Sequence, residues 1–244
     1  MTWTSVVGLC VALLGCNSSP TAPDADEFGV LFIGNSLTYS NDLPDLVERL
    51  MEDAGVGDVH IGVAAYPNFG LQDHWVQGGA REAIALGGWD VVVLQQGPSA
   101  TEGRPSLLAY SEMFAEEIAA IGARHALFMV WPSTSRYFDF DGVSDSYRTA
   151  AELTGGMLFP AGEAWRAAWR LDQTIPLYSG DGFHPDVAGT YVAALVMFQQ
   201  LANRDPRDLP LDAGGTTLPS AMVEVLQEAA AEANAEFAGA GLRR

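Results

Sequence analysis

The sequence predicts an α/β fold, a central parallel sheet covered by helices on both faces. Three observations predict it. From Phe28 onward, short apolar runs rich in β-branched residues alternate with stretches of helical hydrophobic spacing. The clearest runs, Val30-Leu31-Phe32-Ile33 and Val91-Val92-Val93-Leu94, are continuous rather than alternating, as in strands buried on both faces. A chain of 244 residues without an internal repeat or a second linker suits one domain with a substantial core.

The elements follow in order. Val30 to Ile33 is a strand that ends at Gly34. Between Asp42 and Ala54, Leu43, Leu46, Val47, Leu50 and Met51 share one face of a helix. Val59 to Ala65 is the second strand, and Leu71 to Leu86 is expected as a single helix. Asp90 introduces the strongest strand, Val91 to Leu94. A helix over about Leu107 to Ile121 and a strand from Ala126 to Trp131 come next. Asp145 to Leu153 has helical spacing, Met157 to Phe159 is a short strand, and Ala161 to Leu171 is helical. Ala188 to Leu201 and Met222 to Phe237 close the chain as helices.

Composition narrows the function. With 48% hydrophobic and 18% charged residues the chain is globular rather than disordered. A net charge of -19, from 31 acidic and 12 basic residues, repels phosphate backbones and anionic headgroups, so no nucleic-acid partner is expected. The only cysteines are Cys10 and Cys16, which leaves the body beyond them without a disulfide, a thiolate metal site or a cysteine nucleophile.

The apolar run from Val6 to Gly15 is too short to span a membrane and reads as the core of an export signal. Leu13-Leu14-Gly15-Cys16 resembles a bacterial lipobox, although no Lys or Arg precedes the run. The expected organisation is a signal peptide with lipobox at 1–16, a flexible linker at 17–27 rich in Ser, Pro, Ala and Asp, and a domain at 28–244. The implied location is the cell envelope, with Cys16 carrying a lipid and no other membrane contact.

Active sites in parallel sheets lie at the carboxyl ends of strands. Two segments there could carry chemistry. In Phe32-Ile33-Gly34-Asn35-Ser36-Leu37-Thr38, Gly34 permits a tight turn after the strand, and Ser36 emerges just ahead of a helix with backbone N–H groups nearby. Alternatively, Ser36 or Thr38 merely bonds to local backbone. Thr38 rules out a Gly-x-Ser-x-Gly elbow. In Asp181-Gly182-Phe183-His184-Pro185, Asp181 can fold back across a glycine turn to orient a histidine base, while Pro185 stiffens the exit. The pair could instead be incidental or ligate a metal, but His60, His74 and His125 show no matching spacing, and no metal is expected.

These two blocks, in this order, resemble those of the SGNH/GDSL hydrolases, with Gly-Asn-Ser in place of the commoner Gly-Asp-Ser. The stretch after the second block, Asp186 to Ala194 with Gly189-Thr190-Tyr191, is similar to the helix that follows in the family. The resemblance covers roughly Phe28 to Leu201. It implies a flavodoxin-like three-layer α/β/α sandwich and ester hydrolysis without a cofactor. In it Ser36 would be the nucleophile, His184 the proton shuttle and Asp181 its orienting acid. It also implies an oxyanion hole of the Ser36 N–H, the Gly70 N–H and an amide after the third strand. Gly70 would otherwise be a plain helix-start glycine. The chain departs from the family at the third donor: Gln95-Gln96-Gly97-Pro98-Ser99 replaces Gly-x-Asn-Asp. Gln96 is the expected substitute, with Gln95 or Ser99 as alternatives.

Other residues have plainer expectations. His74 and Trp75 pack or cap, Trp131-Pro132-Ser133 lies on the active-site edge, and Trp165 and Trp169 belong to the core. Three functions compete at this point. The first is a serine esterase acting on small-molecule, carbohydrate or cell-envelope esters; the others are a non-catalytic lipoprotein that keeps the fold for glycan or partner binding, and a metal phosphoesterase.

Overall fold

Among the described residues of the computed structural model, 19–237, five strands form one parallel sheet. They are β1 Phe28–Gly34, β2 Val59–Ala65, β3 Trp89–Leu94, β4 Arg124–Phe128 and β5 Met157–Phe159. The strand order is β2-β1-β3-β4-β5, with Ile33 in register with Ala64 on one side and Leu94 on the other. From β1 the chain steps first to one neighbour and then, through β3, to the opposite side. That reversal opens a crevice beyond the carboxyl ends of β1 and β3. The segments carrying Ser36 and Gln95 both enter it.

The helices are α1 Ser36–Tyr39, α2 Leu43–Asp53, α3 Leu71–Gln77, α4 Gly79–Ala85, α5 Arg104–Ala120, α6 Phe140–Thr154, α7 Ala161–Leu171, α8 Val187–Ala202 and α9 Ser220–Glu236. They form two packed groups, α2 with α7 to α9 and α3 with α4 to α6, as the outer layers of a three-layer α/β/α sandwich. The reason is visible in β1 and β3: Val30 to Ile33 and Val91 to Leu94 are buried at every position, so both faces of the sheet need cover. α8 is itself buried along most of its length, which explains its near-continuous apolar sequence.

Four boundaries differ from the sequence expectation by three residues or more, each for a local reason. The helix expected over 71–86 is two, because Gly78 takes φ +85 and ends α3 with a left-handed cap. β4 stops at Phe128 because its partner β5 ends at Phe159, just before Pro160; Met129 to Trp131 run on buried outside the ladder. α6 begins at Phe140, five residues early, since Phe140 and Val143 are buried on the same face as Tyr147. α5 begins at Arg104, before a proline in the first turn that pre-sets the helical φ.

The lipobox and Cys16 lie outside the described residues. Of the expected linker, Thr21 accepts a hydrogen bond on its carbonyl from His60 Nε2 at 2.9 Å. Pro23 packs against Gly29, where any side chain would collide with it.

Candidate active site

Ser36 is the first residue of α1, a single turn that β1 delivers at the crevice. Asn35 caps it: its Oδ1 accepts the Leu37 N–H at 3.1 Å, and its carbonyl accepts the Thr38 N–H at 2.9 Å. Ser36 thus presents a first-turn N–H that has no intrahelical acceptor. Its half-buried Oγ faces outward.

The second segment arrives 148 positions later. His184 Nε2 lies 2.8 Å from Ser36 Oγ. Its Nδ1 lies 2.5 Å from Asp181 Oδ2, across a turn in which Gly182 takes φ +70. Asp181 Oδ1 also accepts the N–H groups of Phe183 and His184, both at 2.9 Å, and the Ser179 hydroxyl at 2.8 Å. The bond to His184, followed by these other donors, holds the Asp181 carboxyl well below the usual carboxylate range. A charged carboxylate at Nδ1 keeps the proton there and leaves Nε2 free to accept one from Ser36.

The surroundings pin this loop. The Trp131 indole N–H donates to the Phe183 carbonyl at 3.0 Å, and the Tyr178 hydroxyl donates to the Pro132 carbonyl at 2.6 Å. Asn41, at φ +52 just past α1, donates to the Pro185 carbonyl at 3.0 Å and to Thr190 Oγ1 at 2.8 Å. It ties the serine segment to the histidine loop. Nothing in the sequence singles Asn41 out except that asparagine tolerates the left-handed region.

The expected oxyanion donors are placed differently from one another. Gly70 is the N-cap of α3, and its N–H donates to Asp73 Oδ2 at 2.8 Å. The Gln96 expectation needs correction: its Nε2 donates to Ser99 Oγ at 2.9 Å and to the Gly103 carbonyl at 3.0 Å, so both amide protons hold the β3–α5 loop. Ser99 is turned to the Gly97 carbonyl at 2.8 Å. Gln95 is buried beneath the serine turn and accepts from it rather than donating to substrate.

His74 is buried under the same turn, its Nε2 2.8 Å from the Gly34 carbonyl and its Nδ1 without a partner among the described residues. Burial pushes its pKa down, so it stays neutral and structural. Trp75 packs edge-on against Phe114. Trp165 is fully buried and stacks on Trp131 at 3.6 Å, a core role, while Trp169 is partly exposed beside Tyr137.

A cleft of about 370 Å³ opens between the segments 98–103 and 132–139 and reaches Phe183, the residue before His184. Pro98, Ala100, Pro132 and Phe183 line it together with Ser99, Ser133, Glu102, Arg136 and Asp139, so its surface is mixed; the Phe183 ring lies 5.2 Å from that of His184. Arg136 Nε reaches Asp139 at 2.5 Å and its other nitrogen reaches Glu102 at 3.3 Å, so its charge is compensated.

No family model and no curated protein matches the chain. Solved structures do. A candidate SGNH hydrolase from Slackia heliotrinireducens is similar at TM-score 0.61 and 25% identity, over 71% of this chain and 98% of that one. A DUF4886 family protein from Bacteroides uniformis is similar at TM-score 0.70 and 20% identity, over 85% and 95%. An acetyl xylan esterase from Geobacillus stearothermophilus, in a variant form, is similar at TM-score 0.57 and 15% identity, over 72% and 94%.

Proposed function

The chain has the fold of the SGNH hydrolases, and on that premise we propose that it is a serine esterase with Ser36 as nucleophile. The observation that carries the proposal is the unbroken line Ser36 Oγ, His184 Nε2, His184 Nδ1, Asp181 Oδ2, with contacts of 2.8 and 2.5 Å. In the reaction His184 takes the hydroxyl proton as Ser36 Oγ attacks the ester carbonyl. The oxyanion meets the Ser36 N–H, and the Gly70 N–H where Asp73 yields it. His184 then protonates the departing alkoxide, and water repeats the sequence on the acyl-enzyme.

The cleft supports a substrate class. Its volume suits one sugar-sized group, and its lining combines hydroxyls, carboxylates and a guanidinium with the apolar surfaces of Pro98, Ala100, Pro132 and Phe183. Such a mixed lining matches a sugar ring, which presents hydroxyls at its edge and C–H groups on its faces. A short acyl ester of a carbohydrate is therefore the proposed substrate, and the similarity to an acetyl xylan esterase agrees with it. Hydrolysis of p-nitrophenyl acetate and of acetylated xylo-oligosaccharides tests this. The expected result is turnover of both, reduced about a thousandfold or more in Ser36→Ala. Failure to turn over short and medium acyl esters alike would favour a non-catalytic binding protein.

We also propose export and anchoring through Cys16. Incorporation of labelled palmitate, lost in Cys16→Ser, is the expected outcome, and equal incorporation by both forms would contradict it. Among the described residues no helix is long and apolar enough to cross a membrane.

A further inference from the structure

We propose that Gln95 is the positioning residue of the nucleophile turn, its buried side-chain carbonyl holding both residues that bracket Ser36. The inference rests on the esterase reading and deepens it. Gln95 Oε1 accepts the Asn35 backbone N–H at 2.8 Å and the Thr38 hydroxyl at 2.8 Å. These two donors occupy both lone pairs of one carbonyl. The amide nitrogen is engaged as well: Nε2 donates one proton to the Gln96 carbonyl at 2.6 Å. That carbonyl and the Gly97 carbonyl are in turn held by the Tyr147 hydroxyl, at 2.5 and 3.1 Å. The Gln95 backbone N–H continues the sheet to the Ile33 carbonyl at 2.8 Å.

The side chain is fully buried, so each bond is made in a low-dielectric interior where an unpaired donor is costly. Gly34 completes the arrangement, because a Cβ there would lie 2.5 Å from Gln95 Oε1 and collide with Thr38 Oγ1. Asn35 is pinned a third time through its Nδ2, which donates to the Phe69 carbonyl at 2.8 Å. With Asn35 and Thr38 fixed from below, the Ser36 N–H and Oγ have one direction left, toward the crevice and His184. A glutamine after β3 therefore aims the serine instead of binding the oxyanion. It must be neutral and offer a doubly accepting oxygen beside a donor.

The test compares the wild-type protein with Gln95→Met, Thr38→Val, the double variant and Gln95→Glu. For each, the rate of Ser36 modification by a fluorophosphonate, kcat and KM on p-nitrophenyl acetate, and the thermal midpoint are measured. Gln95→Met keeps length and removes the acceptor, and should lower both the labelling rate and kcat by about tenfold or more with KM nearly unchanged. Thr38→Val should show a smaller loss of the same kind, and the double variant should be no worse than Gln95→Met, since Gln95→Met already removes the bond that Thr38→Val deletes. Gln95→Glu reproduces the hydrogen bonds only while its buried carboxyl is protonated. Its activity relative to wild type should therefore fall as pH rises.

A folded Gln95→Met with wild-type labelling and kcat, or a change confined to KM, would overturn the inference. Should Gln95→Met not fold, Thr38→Val decides alone: lowered kcat at constant KM supports the inference, and unchanged kcat contradicts it. A wild-type protein that neither labels nor turns over ester overturns the esterase reading beneath it, which is a different outcome.

Discussion

The carboxylate of Asp73 holds the backbone N–H of Gly70 at 2.8 Å, the donor proposed above for the oxyanion. Asp73 is the third residue of α3 and reaches back to its N-cap, a common way to close a first turn. On that proposal, helix capping and oxyanion binding compete for one proton, and the competitor is negatively charged. Asp73→Asn keeps an acceptor for the cap and removes the charge. It should raise kcat about threefold, the size expected for a solvent-screened unit charge a few ångströms away, at about 1 kcal/mol or less. Steady-state kinetics with the thermal midpoint as control checks this; a fall in kcat at unchanged stability would show that the carboxylate helps.

Asp181 predicts the shape of the pH profile. Its folded pKa is depressed below the usual carboxylate range by His184 and three further donors. Its pairing is therefore present above the ordinary carboxylate pKa and is lost only as pH falls through the lower folded value. Loss of activity on acidification should therefore not reflect protonation of Asp181, which stays charged through the ordinary carboxylate range. The log of kcat/KM against pH should show no break from Asp181 between about pH 3 and 5. In Asp181→Asn the tautomer is no longer held, and kcat should fall by about a thousandfold or more.

Asn41 is the clasp between the two segments, bonded to the Pro185 carbonyl and to Thr190 Oγ1. Asn41→Gly keeps the left-handed backbone accessible and deletes both bonds, each contributing about 1 kcal/mol. The expected loss in kcat is about three- to tenfold with little change in KM. Asn41→Ala should lose stability in addition, because alanine disfavours φ +52. Equal thermal midpoints for the two variants would count against this assignment.

How much of this was legible in the sequence depends on how local each cause is. β1, β2, β5 and α7 are recognisable from their own residues, because apolar runs and helical faces are short-range patterns. The serine and histidine segments stand out for the same reason: a strand ending in glycine, and an acid three positions before a histidine. The fate of the two glutamines was not legible. Whether an amide faces substrate or backbone depends on Asn35 and Thr38, some sixty positions away, and on Gly103 in the next loop. Gly78 was visible, but a lone glycine in a helical pattern often remains helical; only the turn between α3 and α4 makes its φ positive. The early start of α6 was hidden by Asp141 and Gly142, which look like a loop until Phe140 is seen packed in the core.

Gly182 gives a backbone test of the same loop. It sits at φ +70, and a Cβ there would collide with Thr134 Oγ1, whose own N–H bonds to the Gly182 carbonyl at 2.8 Å. Gly182→Ala should cost about 1–3 kcal/mol of stability, through strain at the turn, and reduce activity with it. Adding Thr134→Ser leaves Oγ1 in place and should not rescue, whereas Thr134→Ala, which removes it, should restore part of the loss.

The account turns on whether Ser36 is an activated nucleophile, and intact mass spectrometry after exposure to a fluorophosphonate measures that directly. One adduct per chain is predicted, located on the peptide containing Ser36, absent in Ser36→Ala and formed much more slowly in His184→Gln. No adduct on the folded wild-type chain, or an adduct that persists in Ser36→Ala, would contradict it.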